Sequence, residues 1–135
     1  MVNIEEIMDM LDWNQPIEIQ KQGIALAKSI NTIVPFIQPL TPKYSKNVWD
    51  NCALVISCEN DEVLKPHLSE LLEWLQDMNW PGAYRIHDRL LEYSDNDSIS
   101  SAIRDCIKKA KNSADNPWKE VLEDFWNEYC QNLNK

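Results

Sequence analysis

Apolar residues recur at three- and four-residue intervals almost from one end of this chain to the other, and that period commits it to helices. Ile4, Ile7, Met8 and Leu11 keep the spacing, as do Leu64, Leu68, Leu71, Leu72 and Leu75. So do Ile99, Ile103, Cys106, Ile107 and Ala110, and then Trp118, Val121, Leu122, Phe125, Tyr129 and Leu133. Such intervals place the side chains on one face of a helix, whereas a half-buried strand would alternate strictly. From Ile17 to Ile33 β-branched residues are more frequent, but Ala25, Ala27 and the length of the segment favour a buried helix.

The interruptions are equally legible. Pro16, Pro81 and Pro117 suit the first turn of a helix, where the missing N–H has no intrahelical partner to lose. Asn116 is the expected N-cap before Pro117, and Asp97 or Ser98 the expected cap of the helix through Ile103. The stretch VPFIQPLTPKYSKN holds Pro35, Pro39 and Pro42 and reads as the longest irregular connection, with at most a short helix around Phe36. Only two glycines occur, Gly23 and Gly82, which leaves little flexible linker.

A pattern Asp-x-Asn-x-Pro occurs twice, at Asp12–Asn14–Pro16 and at Asp77–Asn79–Pro81, with an offset of 65 residues. The spacing fits two helical hairpins of roughly 30 to 35 residues each. The chemistry fits a tight corner, in which the Asp or Asn side chain satisfies exposed backbone donors and proline sets the backbone for the next helix. Four hairpins then account for the chain: about Asn3 to Asn31, a degenerate one from Thr32 to Cys58, Asp61 to Ser94, and Asp97 to Leu133. The expected fold is therefore all-α, an α-α superhelix of about four HEAT-like hairpins, with a compact helical bundle as the alternative. One domain over residues 1–135 is expected, with HEAT-like hairpins in 1–60 and a second group in 61–135.

Charge narrows the functions. The chain carries 22 acidic and 13 basic residues, a formal net charge of −9. Binding a phosphate backbone needs clustered Lys and Arg, so nucleic acid is not an expected partner. No apolar run approaches the ~20 residues of a membrane span, and "MVNIEEIMDM" lacks a secretory pattern. The four cysteines include no C-x-x-C pair, and Cys52 and Cys106 fall in phase with apolar neighbours as small core residues. A cytoplasmic protein with reduced thiols is expected.

Signatures of catalysis are sparse. Two separated glycines cannot form a phosphate-binding loop, and there is no H-E-x-x-H. His67 and His87 belong to different expected helices and read as ordinary surface or half-buried histidines. "SDNDSIS" fails as a calcium loop: counted from Asp95, the fifth position is Ile99, the sixth Ser100 and the twelfth Cys106. Glu70, Glu73, Asp77, Asp88 and Glu92 read as the wet face of amphipathic helices. Trp74, Trp126 and Phe125 are expected in the core. Trp13, Trp80 and Trp118 sit at helix-start corners, either wedging the junctions between hairpins, the preferred reading, or serving as binding anchors.

The segment LLEWLQDMNWPGA, with Leu71, Leu72, Glu73, Trp74, Leu75, Gln76, Asp77, Asn79, Trp80 and Pro81, resembles the signature of a bacterial family known as domain of unknown function 5071. "DNPWKEVL", with Trp118 and Lys119, resembles its later D-x-x-W-K element. The resemblance covers Lys65 to Trp126, while "LDWNQPIEIQ" and "NVWDNCALVI" depart from the pattern and look like an added pair of hairpins. It implies an α-helical repeat and brings no catalytic residue, cofactor or metal.

A helical repeat without catalytic residues is expected to work by surface recognition. The second helix of each hairpin lines the contact side, so the candidate protein-binding residues are Glu18, Gln22, Trp49, Asp50, Trp80, Tyr84, Arg85, Asp88, Lys119 and Glu120. The expected function is a non-catalytic protein-binding module, monomeric when unbound. Its sharper version is an immunity-type inhibitor of a basic toxin, because an acidic face speeds encounter with a basic site and occludes it. The alternatives are a helical-repeat enzyme of the base-excision type, which would need a basic concave face, and a structural subunit of an assembly.

Overall fold

Wherever the apolar period is strong the chain is helical, and the described residues contain no strand. The structure, a computed structural model, describes residues 3–39 and 44–133. Helix α1 (Ile4–Leu11) packs on α2 (Ile17–Lys28), and a 3-10 turn at Val34–Phe36 packs on α3 (Trp49–Ser57), which a second 3-10 turn, Lys46–Val48, feeds directly. The third unit is a broken arm: α4 (Asp61–Leu64), a 3-10 turn at Lys65–His67, α5 (Leu68–Leu72) and a 3-10 turn at Glu73–Gln76. That arm packs on α6 (Ala83–Leu91), and α7 (Asn96–Asn112) packs on α8 (Asn116–Leu133). Between units, α2 touches α3, α3 touches α6, α6 touches α8, and α5 touches α7. The chain is therefore all-α, built by packing helix on helix.

Local chemistry explains the departures from expectation. The arm before α6 is not one regular helix, because Pro66 has no N–H to donate; Leu64, Leu68, Leu71, Leu72 and Leu75 are nonetheless all buried. Helix α2 ends at Lys28 and is peripheral rather than buried: only Gly23 and Ala27 are buried along it, and Ile17 is 60% exposed. Its apolar residues are split between two sides, with Ile17 and Ile24 opposite Ile19 and Leu26 at helical spacing, so no single face can be covered. The caps also start earlier than expected. Asp95, not Asp97 or Ser98, caps α7 by accepting from the Ser98 N–H (3.2 Å), and Asp115, not Asn116, accepts from the Trp118 N–H (3.1 Å). The expected short helix at Phe36 is the Val34–Phe36 turn; residues 40–43 of the same proline-rich connection lie outside the described residues.

The two corners share their chemistry. Asp12 Oδ1 accepts from the Asn14 N–H at 2.8 Å, and Asp77 Oδ1 from the Asn79 N–H at 2.9 Å. Each Asp carbonyl accepts a further N–H, from Gln15 at 2.9 Å and from Trp80 at 3.0 Å. After that they diverge. Pro16 leads straight into α2, but Pro81 is followed by Gly82 at φ +86°, a left-handed residue that re-aims the chain before α6 begins. A Cβ at Gly82 would lie 2.6 Å from Ala53 Cβ and 2.9 Å from the Trp49 carbonyl oxygen, so α6 starts in contact with α3.

Tryptophans surround that contact. Trp49 meets Trp74 and Trp80 edge-on, with ring centroids 6.2 and 5.6 Å apart. Trp74 Nε1 donates to the Pro81 carbonyl (3.0 Å) and Trp118 Nε1 to the Leu72 carbonyl (3.2 Å), while Trp49 Nε1 has no hydrogen-bond partner among the described residues. Trp118 thus wedges a junction and Trp80 is half-buried; of the corner tryptophans Trp13 is open to solvent, 47% exposed. Phe125 and Trp74 are buried as expected, and Trp126 is half-buried, stacked on Tyr129.

Two polar clusters tie the units together. Asn51, buried on α3, donates through Nδ2 to the Leu11 carbonyl (2.8 Å) and to Gln20 Oε1 (2.9 Å), which binds the first helix pair to the second unit. Asp61 joins the two ends of the third: Oδ1 accepts from Arg89 Nη2 at 2.7 Å, and Oδ2 from the Ser94 hydroxyl and N–H at 2.7 and 3.0 Å. Burial raises the Asp61 pKa, but the hydrogen bonds from Ser94 and Arg89 and the charge of Arg89 outweigh it and hold the carboxyl below its ordinary range.

Gly82→Ala combines a left-handed backbone with overpacking and is expected to destabilise by about 2–4 kcal/mol in urea unfolding. Trp74→Phe orphans the Pro81 carbonyl, whereas Trp49→Phe removes no hydrogen bond; the first should be the more costly by about 1–3 kcal/mol, read from the same melts. Because the folded Asp61 pKa is lowered, its contribution is complete above the ordinary aspartate value and is lost as pH falls through the folded value. The stability gap between wild type and Asp61→Asn should therefore hold steady at neutral pH and shrink below about pH 4, measured by denaturation at pH 7 and pH 3.

Candidate protein-interaction surface

Helix α6 owes its two characters to its 3.6-residue repeat. Ala83, Ile86 and Leu90 point into the core, which leaves Tyr84, Arg85, Asp88 and Glu92 outward. On the α3 side Arg85 forms a two-pronged pair with Asp50, Nε to Oδ1 at 3.0 Å and Nη2 to Oδ2 at 3.3 Å. Both side chains are substantially exposed, so the pair positions groups more than it stabilises the fold. A groove of about 260 Å³ lies there, lined by Ser57, Arg85, Asp88, Arg89 and Glu92. Its two arginines are committed to Asp50 and Asp61, which leaves Asp88 and Glu92 to set its charge.

On the α8 side His87 is the link. Its Nδ1 lies 2.9 Å from Asp88 Oδ1 and its Nε2 3.5 Å from Glu128 Oε2, while its ring meets Phe125 edge-on at 5.5 Å. Tyr84 packs its ring against His87 at 6.5 Å yet remains 65% exposed. Expected contact residues Asp50, Tyr84, Arg85 and Asp88 are thus gathered on and beside α6.

The other expected residues fall elsewhere. Trp49 is a correction: it is 4% exposed, because it falls in helical phase with the buried Cys52, Ala53 and Ile56 on the inner side of α3 and packs against Trp74 and Trp80, and it offers no outer surface. Trp80 is half-buried against it. Glu18 and Gln22 are exposed on α2. Lys119 pairs with Glu123 at 3.4 Å on the first turns of α8, with Glu120 exposed beside it. These last two lie about 13 Å along the helix from Glu128. Sequence reasoning read His87 as an ordinary surface or half-buried histidine and Glu92 as part of a wet face, and did not single out Asp124 or Glu128; the signal for the His87 contact was available in the pairing of Tyr84 with His87 at i, i+3.

Burial drives the Cys52 thiol well above its ordinary pKa and pushes Cys106 up to about 11, so both are inert core residues, Cys52 resting 3.8 Å from Met8 Sδ. No group of three or more His, Cys, Asp or Glu side chains among the described residues is placed to hold a metal ion. No helix among the described residues is long and apolar enough to cross a membrane.

The model of a family described as a domain of unknown function (DUF5071) matches residues 44–135. No curated protein and no solved structure matches the chain. The match starts well before Lys65, so the segment Asn47 to Ile56, which looked foreign to the pattern, lies inside it along with Trp49. Helices α3 to α8, with the tryptophan cluster and the α6 surface, all fall within the matched region, and this chain belongs to the DUF5071 family.

Proposed function

We propose that this chain is a non-catalytic protein-binding module whose partner is basic, acting in the cytoplasm and binding through the outer face of α6 and the neighbouring side of α8. The observation that carries this reading is an imbalance of charge around an exposed aromatic ring. Asp88, Glu92, Glu120, Asp124 and Glu128 are all exposed, and among the described residues none has a Lys or Arg partner within ion-pair distance. Asp88 and Glu128 both meet His87, the ring against which Tyr84 packs, and the exposed Tyr84 ring is available for stacking on a guanidinium or ammonium group. Aromatic anchors with acidic surroundings suit a partner rich in Arg and Lys. The four free thiols favour a reducing compartment.

In its sharper form the module is an immunity-type inhibitor in a bacterium, laying this face over the basic active site of a toxin. Acidic charge accelerates the encounter, and the surface then blocks access. The contacts of α2 with α3, α3 with α6 and α6 with α8 put the second helices of the pairs next to one another, and in stacked hairpins such a row is the side used for recognition, which supports this reading.

The test is capture of partners on tagged chain at physiological salt, with Asp88→Lys/Glu92→Lys as the matched control and circular dichroism to verify its fold. A basic partner held by the wild type should be released on raising the salt, and its affinity should fall by roughly tenfold or more in the double variant. Retention that is indifferent both to salt and to the variant would overturn the reading.

A further inference from the structure

Helix α7 presents the opposite sign. Arg104, Lys108 and Lys111 recur at i, i+4 and i+7 and so share one side of the helix, across from the buried Ile99, Ile103, Cys106 and Ala110. All three are exposed, and among the described residues none forms an ion pair. Lys65, Arg85, Arg89, Lys109 and Lys119 each do, with Asp95, Asp50, Asp61, Glu73 and Glu123; Lys21 and Lys28 on α2, and Lys46 over the Trp49 ring, do not, so what marks α7 is three such cations on one side of one helix.

Helix stability does not account for this stripe. Like charges four residues apart repel, by about 0.2–0.5 kcal/mol per pair. The helix dipole favours a cation only within about the last turn; that covers Lys111 but not Arg104, which sits eight residues before the end at Asn112. A chain with 22 acidic residues has carboxylates to spare for pairing, yet places none against these three.

We propose that the outer face of α7 docks an acidic polypeptide segment, a helix carrying carboxylates one turn apart. Three cations over seven residues span about 10 Å, which matches Glu or Asp at i, i+4 and i+7 on a facing helix. Three cations can displace counterions from only a few phosphates, which gives a nucleic acid little affinity for so short a stripe. This surface is separate from α6 and does not depend on the function proposed for it.

The experiment is fluorescence anisotropy on the full chain at about 0.15 M salt. The probe is a labelled helical peptide with Glu at i, i+4 and i+7; a scrambled peptide of equal charge and a single-stranded oligonucleotide are the comparisons. Saturable binding to the first peptide is expected, weaker for the scrambled one, and reduced roughly tenfold or more by Arg104→Glu/Lys108→Glu/Lys111→Glu. Asp88→Lys should leave it unchanged, so this proposal and the α6 reading fail separately. If the triple variant loses its helical signal in circular dichroism, Lys108→Gln and Lys111→Gln singly should each weaken binding about two- to fivefold. Absence of saturable binding, equal binding by the charge variants, or tighter binding of the oligonucleotide would each overturn the proposal.

Discussion

Contact between the start of α6 and the middle of α3 requires a residue without a side chain at position 82, and the aromatic core is arranged about that contact. With Gly82 in the left-handed region, the Trp49 carbonyl and the Ala53 side chain come close enough that any Cβ would collide with them. The same approach sets Trp49 edge-on between Trp74 and Trp80 and delivers the Pro81 carbonyl to the Trp74 indole. Polar groups that would be expensive to bury unpaired are thereby satisfied by the very turn that brings the helices together. The placement of Arg85 opposite Asp50, and so the whole outer face of α6, follows from it.

How far this was legible in the sequence differs from residue to residue. The helical class followed from the spacing of Leu64 through Leu75 and Ile99 through Ala110, since a one-sided period survives even where the helix is broken at Pro66. The corners followed from Asp12–Asn14 and Asp77–Asn79, because the Asp side-chain bond is local chemistry. What escaped was set by distant partners. Trp49 is the exception: it stands three, four and seven residues before the buried Cys52, Ala53 and Ile56, so its burial was written in the local period, and only its ring partners Trp74 and Trp80 are distant. Ile17 looked buried by composition, but at the first turn of α2 it lies beyond the core that reaches Ile24 on the same side, and it is 60% exposed. The His87 link to Glu128 spans two helices and has no local signature.

The charges separate into two regions within a small molecule. Around α6 the arginines are spent on Asp50 and Asp61, and what remains outward is carboxylate and tyrosine. Along α7 Lys109 is paired with Glu73, and Arg104, Lys108 and Lys111 remain outward with no ion pair among the described residues, beside the exposed Asp97 and Asp105. Net charge alone conceals this arrangement, and a partner would meet a different potential according to the face it approached.

Asn51 carries a consequence of another kind. It belongs to the region matched by the family, yet both acceptors of its amide, the Leu11 carbonyl and Gln20 Oε1, come from the helix pair that precedes that region. An apolar residue at 51 would strand a buried backbone carbonyl, and loss of α1 and α2 would strand the amide. The boundary drawn by sequence likeness and the boundary of the cooperative unit therefore do not coincide. A segment cut at the family boundary would begin life with a polar amide in its interior and nothing to hold it.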